Sequence, residues 1–186
     1  MFWSLARRSR RAALSAVAAL LLAGCSAQGG PLDDGSGGNG IIGGVACIPN
    51  LDQAWSVGNV WLDNTSAIDT ATLVSVELGN DSGRPLPILD GSYVIPSLEY
   101  GSFGTQRMPP PEGDPLWSMR QDLADWQIPP GEGANIVLIV LPNGSLDSAS
   151  DWFEVTYSAG GKIWKQRSFS GFDFTPRPDV IRRCGD

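Results

Sequence analysis

The residues able to do chemistry are unevenly supplied in this 186-residue chain. It has no histidine, three cysteines, 13 Lys and Arg against 20 Asp and Glu, and seven tryptophans. Without histidine, the commonest general base and metal ligand is missing. There is no Gly-x-Ser-x-Gly elbow, and neither Lys162 nor Lys165 has a serine three positions before it, which removes the Ser-x-x-Lys nucleophile arrangement. Gly160-Gly161-Lys162 lacks the rest of a phosphate-binding loop. The carboxylates could supply a glycosidase-like pair, but no spacing singles one out. Asp63, Asn64 and Asp69 share one loop, and Asp81 and Asp90 flank another. Oxygen-rich loops can hold Ca²⁺. No EF-hand register is present, and Asx residues are what turns require, so turn chemistry is the preferred reading. The expectation is a protein that is not an enzyme, with no cofactor and no metal.

The chemistry that does stand out is at the beginning. Arg7, Arg8, Arg10 and Arg11 precede an apolar run from Ala12 to Ala23, which ends in Leu22-Ala23-Gly24-Cys25. A basic segment, a short apolar segment and small residues make the tripartite pattern of a secretory signal. The run is 12 residues, too short to cross a bilayer as a helix. The Leu22–Cys25 stretch resembles a bacterial lipobox. That resemblance implies a diacylglycerol on the Cys25 sulfur, cleavage after residue 24, and a place on the extracytoplasmic face of the cell membrane. Ser9-Arg10-Arg11-Ala12-Ala13-Leu14 is also similar to a twin-arginine export signal, although that signal prefers a bulky residue where Ala13 stands. General secretion is the plainer route.

Removing residues 1–24 takes all four signal arginines and leaves 9 basic against 20 acidic residues, a formal charge of −11. Such a surface repels phosphate backbones, which argues against nucleic acid as a partner. It also gives no attraction to anionic lipids, so attachment must come from acyl chains. With Cys25 acylated, Cys47 and Cys184 remain, and an oxidising compartment favours their pairing. Closing so long a loop stabilises a fold by roughly 4–5 kcal/mol in the chain-entropy model.

The expected organisation is a signal at 1–24, a lipidated and unstructured Gly/Ser/Asp-rich tether at 25–40, and a β-sandwich at 41–186. Fifteen flexible residues span roughly 20 Å, which would hold the domain just off the membrane. Strands are expected at 41–48, 54–62, 71–78, 92–98, 135–141, 152–158 and 162–169, separated by Gly, Pro, Asn and Asp turns. Seven short strands with little helix predict an antiparallel sandwich. Residues 136–141 are apolar without alternation, as for a strand buried on both sides at the centre of a sheet. The turn Ile128-Pro129-Pro130-Gly131 before it resembles the entry to a mid-sandwich strand of immunoglobulin-like domains.

The last two strands meet around Gly160-Gly161, a strong hairpin signal. A two-residue loop at 159–160 or 160–161 pairs residues of opposite parity. Phe153, Val155, Tyr157 and Trp164 then share the buried face, and Glu154 meets Lys165 or Arg167 outside. A long irregular stretch, 99–114, contains Pro109-Pro110-Pro111; such loops are more often functional than connecting. Leu116, Met119, Leu123 and Trp126 then recur at helical spacing, after Asp114 as N-cap and Pro115 as first helical residue. This favours a short helix near 115–126 over an irregular strand.

Among the tryptophans, Trp55, Trp61 and Trp164 are assigned to the core. Trp152 falls on the outer parity of its strand, and Trp117 lies off the apolar stripe of the expected helix. Burial under the long loop is the plainer reading of both. Were they exposed, Trp117, Trp152 and the Pro109–Pro111 run would be the candidate contact surface. The partner would be an envelope protein, or an envelope polysaccharide gripped by the two rings; a carboxylate-dependent hydrolase is the third reading. Cys25→Ser is expected to move the protein from the membrane to the soluble fraction without unfolding it; fractionation with circular dichroism checks this.

Overall fold

The computed structural model describes residues 27–28, 30–35, 45–48, 52–96, 103–144 and 147–175. In chain order the elements are β1 (Ala27–Gln28), β2 (Leu32–Asp33), β3 (Ala46–Ile48), β4 (Trp55–Asn64), β5 (Ala71–Gly79), β6 (Ile88–Ile95), β7 (Gln106–Arg107), the one-turn helix α1 (Pro115–Ser118), β8 (Gln121–Asp122), β9 (Gln127–Ile128), β10 (Gly133–Leu141), β11 (Ser148–Ser150), β12 (Trp152–Ala159), β13 (Lys162–Ser168) and β14 (Phe172–Phe174).

Two sheets face each other. One has the order β2-β4-β10-β6-β8, with β7 also on β4; the other has the order β1-β13-β12-β5-β9. Taking β2, β4, β5, β6, β10, β12 and β13 as strands A to G, the sheets read A-B-E-D and G-F-C. That is the immunoglobulin-type sandwich. The main core lies between them, where Val57, Leu62, Leu73, Ile136, Leu138, Phe153, Val155 and Tyr157 are buried together.

Strand β10 organises the packing. Its even residues Ala134, Ile136, Leu138 and Val140 enter the main core. Its odd residues Val137 and Ile139 enter a second, smaller core with Ile95 and Phe103. The unbroken apolar run is therefore a strand with two covered faces. Asn135 also points to the second side and is fully buried. Its amide donates to the carbonyls of Gly58 (2.8 Å) and Val60 (2.9 Å) and accepts from the Phe103 amide (3.2 Å). These bonds sit beside a bulge, where the β4 partner jumps from Val60 to Val57 as β10 moves from Ile136 to Leu138. The extra residue in β4 reverses parity: Val57 faces inward before it, Val60 and Leu62 after it. Trp61, expected in the core on the parity of Val57, is turned to the outer face for this reason. There its indole donates to Asp63 at 2.6 Å.

The hairpin expectation holds. Residues pair with numbers summing to 321, as in Tyr157↔Trp164 and Glu154↔Arg167. The loop is Gly160-Gly161, both at positive φ (56° and 73°), the backbone that a tight hairpin turn demands. Phe153, Val155 and Tyr157 are buried with Trp164 packed against them.

Three expectations are corrected. The unstructured reading of 25–40 fails over 30–35: Leu32, the large apolar residue in that stretch, is 2% exposed. Strand β2 pairs with the end of β4, and β1 runs parallel to β13. The domain thus starts before residue 41, and Leu32–Asp33 takes the place of the first sandwich strand. Of the strand expected at 41–48, residues 41–44 lie outside the described residues, and Ala46–Ile48 joins a separate small sheet ordered β11-β14-β3 instead of the sandwich. The expected helix is a single turn, Pro115–Ser118, capped by Asp114 as anticipated (Trp117 amide to Asp114 Oδ1, 2.9 Å). Helical spacing misled because its four residues serve two cores. Leu116 and Met119 join the second, whereas Leu123 and Trp126 join the first, after the chain rounds the sheet edge through β8.

Asn135→Leu is expected to lose stability on the order of 3 kcal/mol, because buried carbonyls and an amide are left without partners. Urea unfolding with an unchanged m-value measures it.

Candidate functional site

The long loop is not a free arm. From Phe103 to Met119 it lies on the outer face of the A-B-E-D sheet, placing Phe103, Met108, Leu116, Trp117 and Met119 on Ile95, Val137 and Ile139. Trp117 stacks on Phe103 at 5.4 Å and meets the Tyr93 edge at 5.5 Å. The Arg120 guanidinium covers it, 4.1 Å from the ring centroid. Of the proline run, Pro110 is buried, and Pro109 and Pro111 are exposed.

Trp152 sits on the other sheet. Its ring lies over Gly79, where any Cβ would collide with the indole, and Arg167 stacks on it at 3.8 Å. Trp117 and Trp152 thus occupy opposite outer faces of the sandwich. Both are half-buried under an arginine. No joint grip on one glycan chain follows from this placement. The rings cover apolar surface at the flanks of two sheets, which the parity of a single strand cannot reveal.

Among the described residues, no segment covers the outer face of the G-F-C sheet as 103–119 covers the other. Glu154 lies at its centre, accepting from Lys165 at 2.6 Å, with Arg167 at 3.6 Å. The Glu154 hydrogen bond holds the Lys165 ammonium above its usual pKa. Val74 and Ile163 stand exposed on the same sheet, at 46% and 54%. The face combines a charged centre with isolated apolar side chains.

At the end of the sandwich carrying the 65–70 turn and the hairpin tip, a depression of about 240 Å³ is lined by Pro31, Thr65, Asp69, Gly160, Lys162 and Trp164 among others. The acidic loop residues do structural work. Asn64, 1% exposed, donates to the carbonyls of Asp69 and Ile128 and accepts from the Ser66 amide. Asp63 accepts from Trp61, and Asp81 accepts from Trp152. Among the described residues no group of three Cys, Asp or Glu converges as metal ligands would. At the opposite end, Arg84 grips Asp173 through two bonds of 2.7 Å.

Cys47 lies on β3 opposite Asp173. Cys25 and Cys184 lie outside the described residues.

One functional group escaped the sequence. The Tyr157 hydroxyl, at the core end of β12, accepts the Leu32 amide at 3.1 Å and so holds the N-terminal segment to the fold. Burial raises the Tyr157 pKa above 10, opposed by that amide, which favours the phenolate. The available signal was Leu32 itself, alone among Gly, Ser and Asp. No protein-family model, curated protein or solved structure matches this chain.

Tyr157→Phe is expected to lose about 1–3 kcal/mol, since the buried Leu32 amide loses its acceptor. The wild-type phenol, harder to ionise folded than unfolded, contributes stability that is present below pH 10 and lost as pH rises through its folded pKa. Alkaline unfolding should be shallower in the variant, as followed by circular dichroism.

Proposed function

We propose that this chain is a membrane-anchored extracytoplasmic lipoprotein whose immunoglobulin-like domain works by binding, as an accessory or scaffold in the cell envelope. The lipobox-like Leu22–Cys25 supports acylation at Cys25. A disulfide from Cys47 to Cys184 is the pairing that acylation leaves. The observation that carries the binding role is the asymmetry of the sandwich. Residues 103–119 cover one outer face, and the other presents Val74, Ile163 and the Glu154–Lys165–Arg167 cluster uncovered. An envelope protein is the partner this mixed face fits best. The polysaccharide reading loses its main support, because Trp117 and Trp152 do not share a surface.

A photo-crosslinking residue at Ile163, compared with one at Glu112 on the covering loop, tests the assignment in native membranes. Crosslinks to a protein from position 163 and none from 112 are expected; the reverse pattern would refute this face. Non-reducing mass spectrometry should find Cys47 and Cys184 in one linked peptide pair.

A further inference from the structure

We infer that the sandwich does not hang from a long tether but stands end-on against the bilayer, with the hairpin tip at 160–161 and the 65–70 turn as its membrane-facing end. The inference rests on the acylation of Cys25 proposed above. Its partner is the lipid surface.

The argument is one of reach and direction. Ala27 is already paired with Trp164, and Gln28 with Lys165, in a parallel register. Cys25 precedes Ala27 by two residues, which extend at most about 7 Å. A strand parallel to β13 enters from the side where β13 begins, which is the Gly160-Gly161 tip. Trp164 is three residues from that tip, about 10 Å along a strand. The acylated sulfur is thereby confined to the neighbourhood of the tip. The next contacts keep it there. Gly30 packs so closely on Trp164 and the Tyr157 hydroxyl that a Cβ would collide with both. The Leu32 amide bonds that same hydroxyl, and the Pro31 carbonyl accepts from Thr65.

The same end carries groups at home in an interface. Ile68 in the 65–70 turn is 83% exposed, more than any other large apolar side chain described. Lys162 at the tip lies 5.7 Å from the Trp164 ring. Lysine and tryptophan suit the headgroup layer, where an apolar stem or ring and a polar tip are both accommodated. Asp63, Asp69 and Glu132 lie near this end. They offer no attraction to anionic lipid, so covalent reach and not charge imposes the contact. The Arg84–Asp173 end is then farthest from the membrane.

The test uses the full acylated protein in phosphatidylcholine vesicles, read by hydrogen–deuterium exchange. Amides at 65–70 and 160–163 are expected to exchange several-fold more slowly than in the soluble Cys25→Ser form, and amides at 80–87 at the same rate. Inserting ten Gly/Ser residues between Ser26 and Ala27 should preserve flotation with the vesicles and erase that protection. Flotation with no difference at 65–70 and 160–163, or with protection at 80–87 instead, overturns the orientation alone. Failure to float overturns the acylation and the orientation with it.

Discussion

A strand that is apolar on both faces cannot be left against water, and Gly133–Leu141 imposes that condition on the whole fold. Its even side chains require a second sheet, which β5, β12 and β13 supply. Its odd side chains require another cover, and among the described residues no sheet provides one. The chain meets this demand with the 103–119 loop, whose Phe103, Leu116 and Trp117 lie on Val137 and Ile139. Burying such side chains contributes roughly 1.5–3 kcal/mol each. The proline-rich segment is therefore best understood as a lid over the outer face of one sheet, and its irregular backbone is what allows Phe103, Met108, Leu116, Trp117 and Met119 to reach the same patch.

That cover makes the two outer faces of the sandwich unequal. Both sheets have an outer face, and among the described residues only the A-B-E-D face is paved. The G-F-C face holds its charges in local contacts: Glu154 is shared by Lys165 and Arg167, and Arg167 turns its flat side onto Trp152. Exposed ion pairs of this kind contribute little to stability, typically 0–1 kcal/mol. Their consequence is a fixed pattern of charge on a flat sheet, and fixed patterns discriminate between partners more than they strengthen binding.

The sequence was most informative where period and turn chemistry act together. The 160–161 hairpin, the burial of β10 on both sides and the Asp114 cap all follow from local rules. What was hidden was the fate of side chains whose partner is distant. Trp61 changed faces because a bulge stabilised by Asn135, 74 residues away in sequence, added one residue to its strand. The helical spacing from Leu116 to Trp126 came from two unrelated cores meeting in one segment. Strand or helix parity alone places Trp117 and Trp152 off the apolar side but does not show what covers them. The arginines that cover them come from Arg120, just past a one-turn helix, and from Arg167, on a neighbouring strand.

The N-terminal segment shows how little it takes to change a linker into part of a fold. Fourteen of the residues from Ser26 to Gly40 have nothing substantial to bury, and composition argues for disorder over all of them. Leu32 alone reverses the balance locally, because its burial is joined by three directed contacts: its amide on Tyr157, and the Pro31 carbonyl receiving both the backbone and the side chain of Thr65. A contact that fixes the chain at residues 30–32 also fixes where anything attached upstream must emerge. For an anchored protein this is decisive, since the position of the first docked residue sets which end of the sandwich meets the bilayer and which face is turned toward partners. The hydroxyl of one buried tyrosine thus ties the N-terminal segment to the core of the domain.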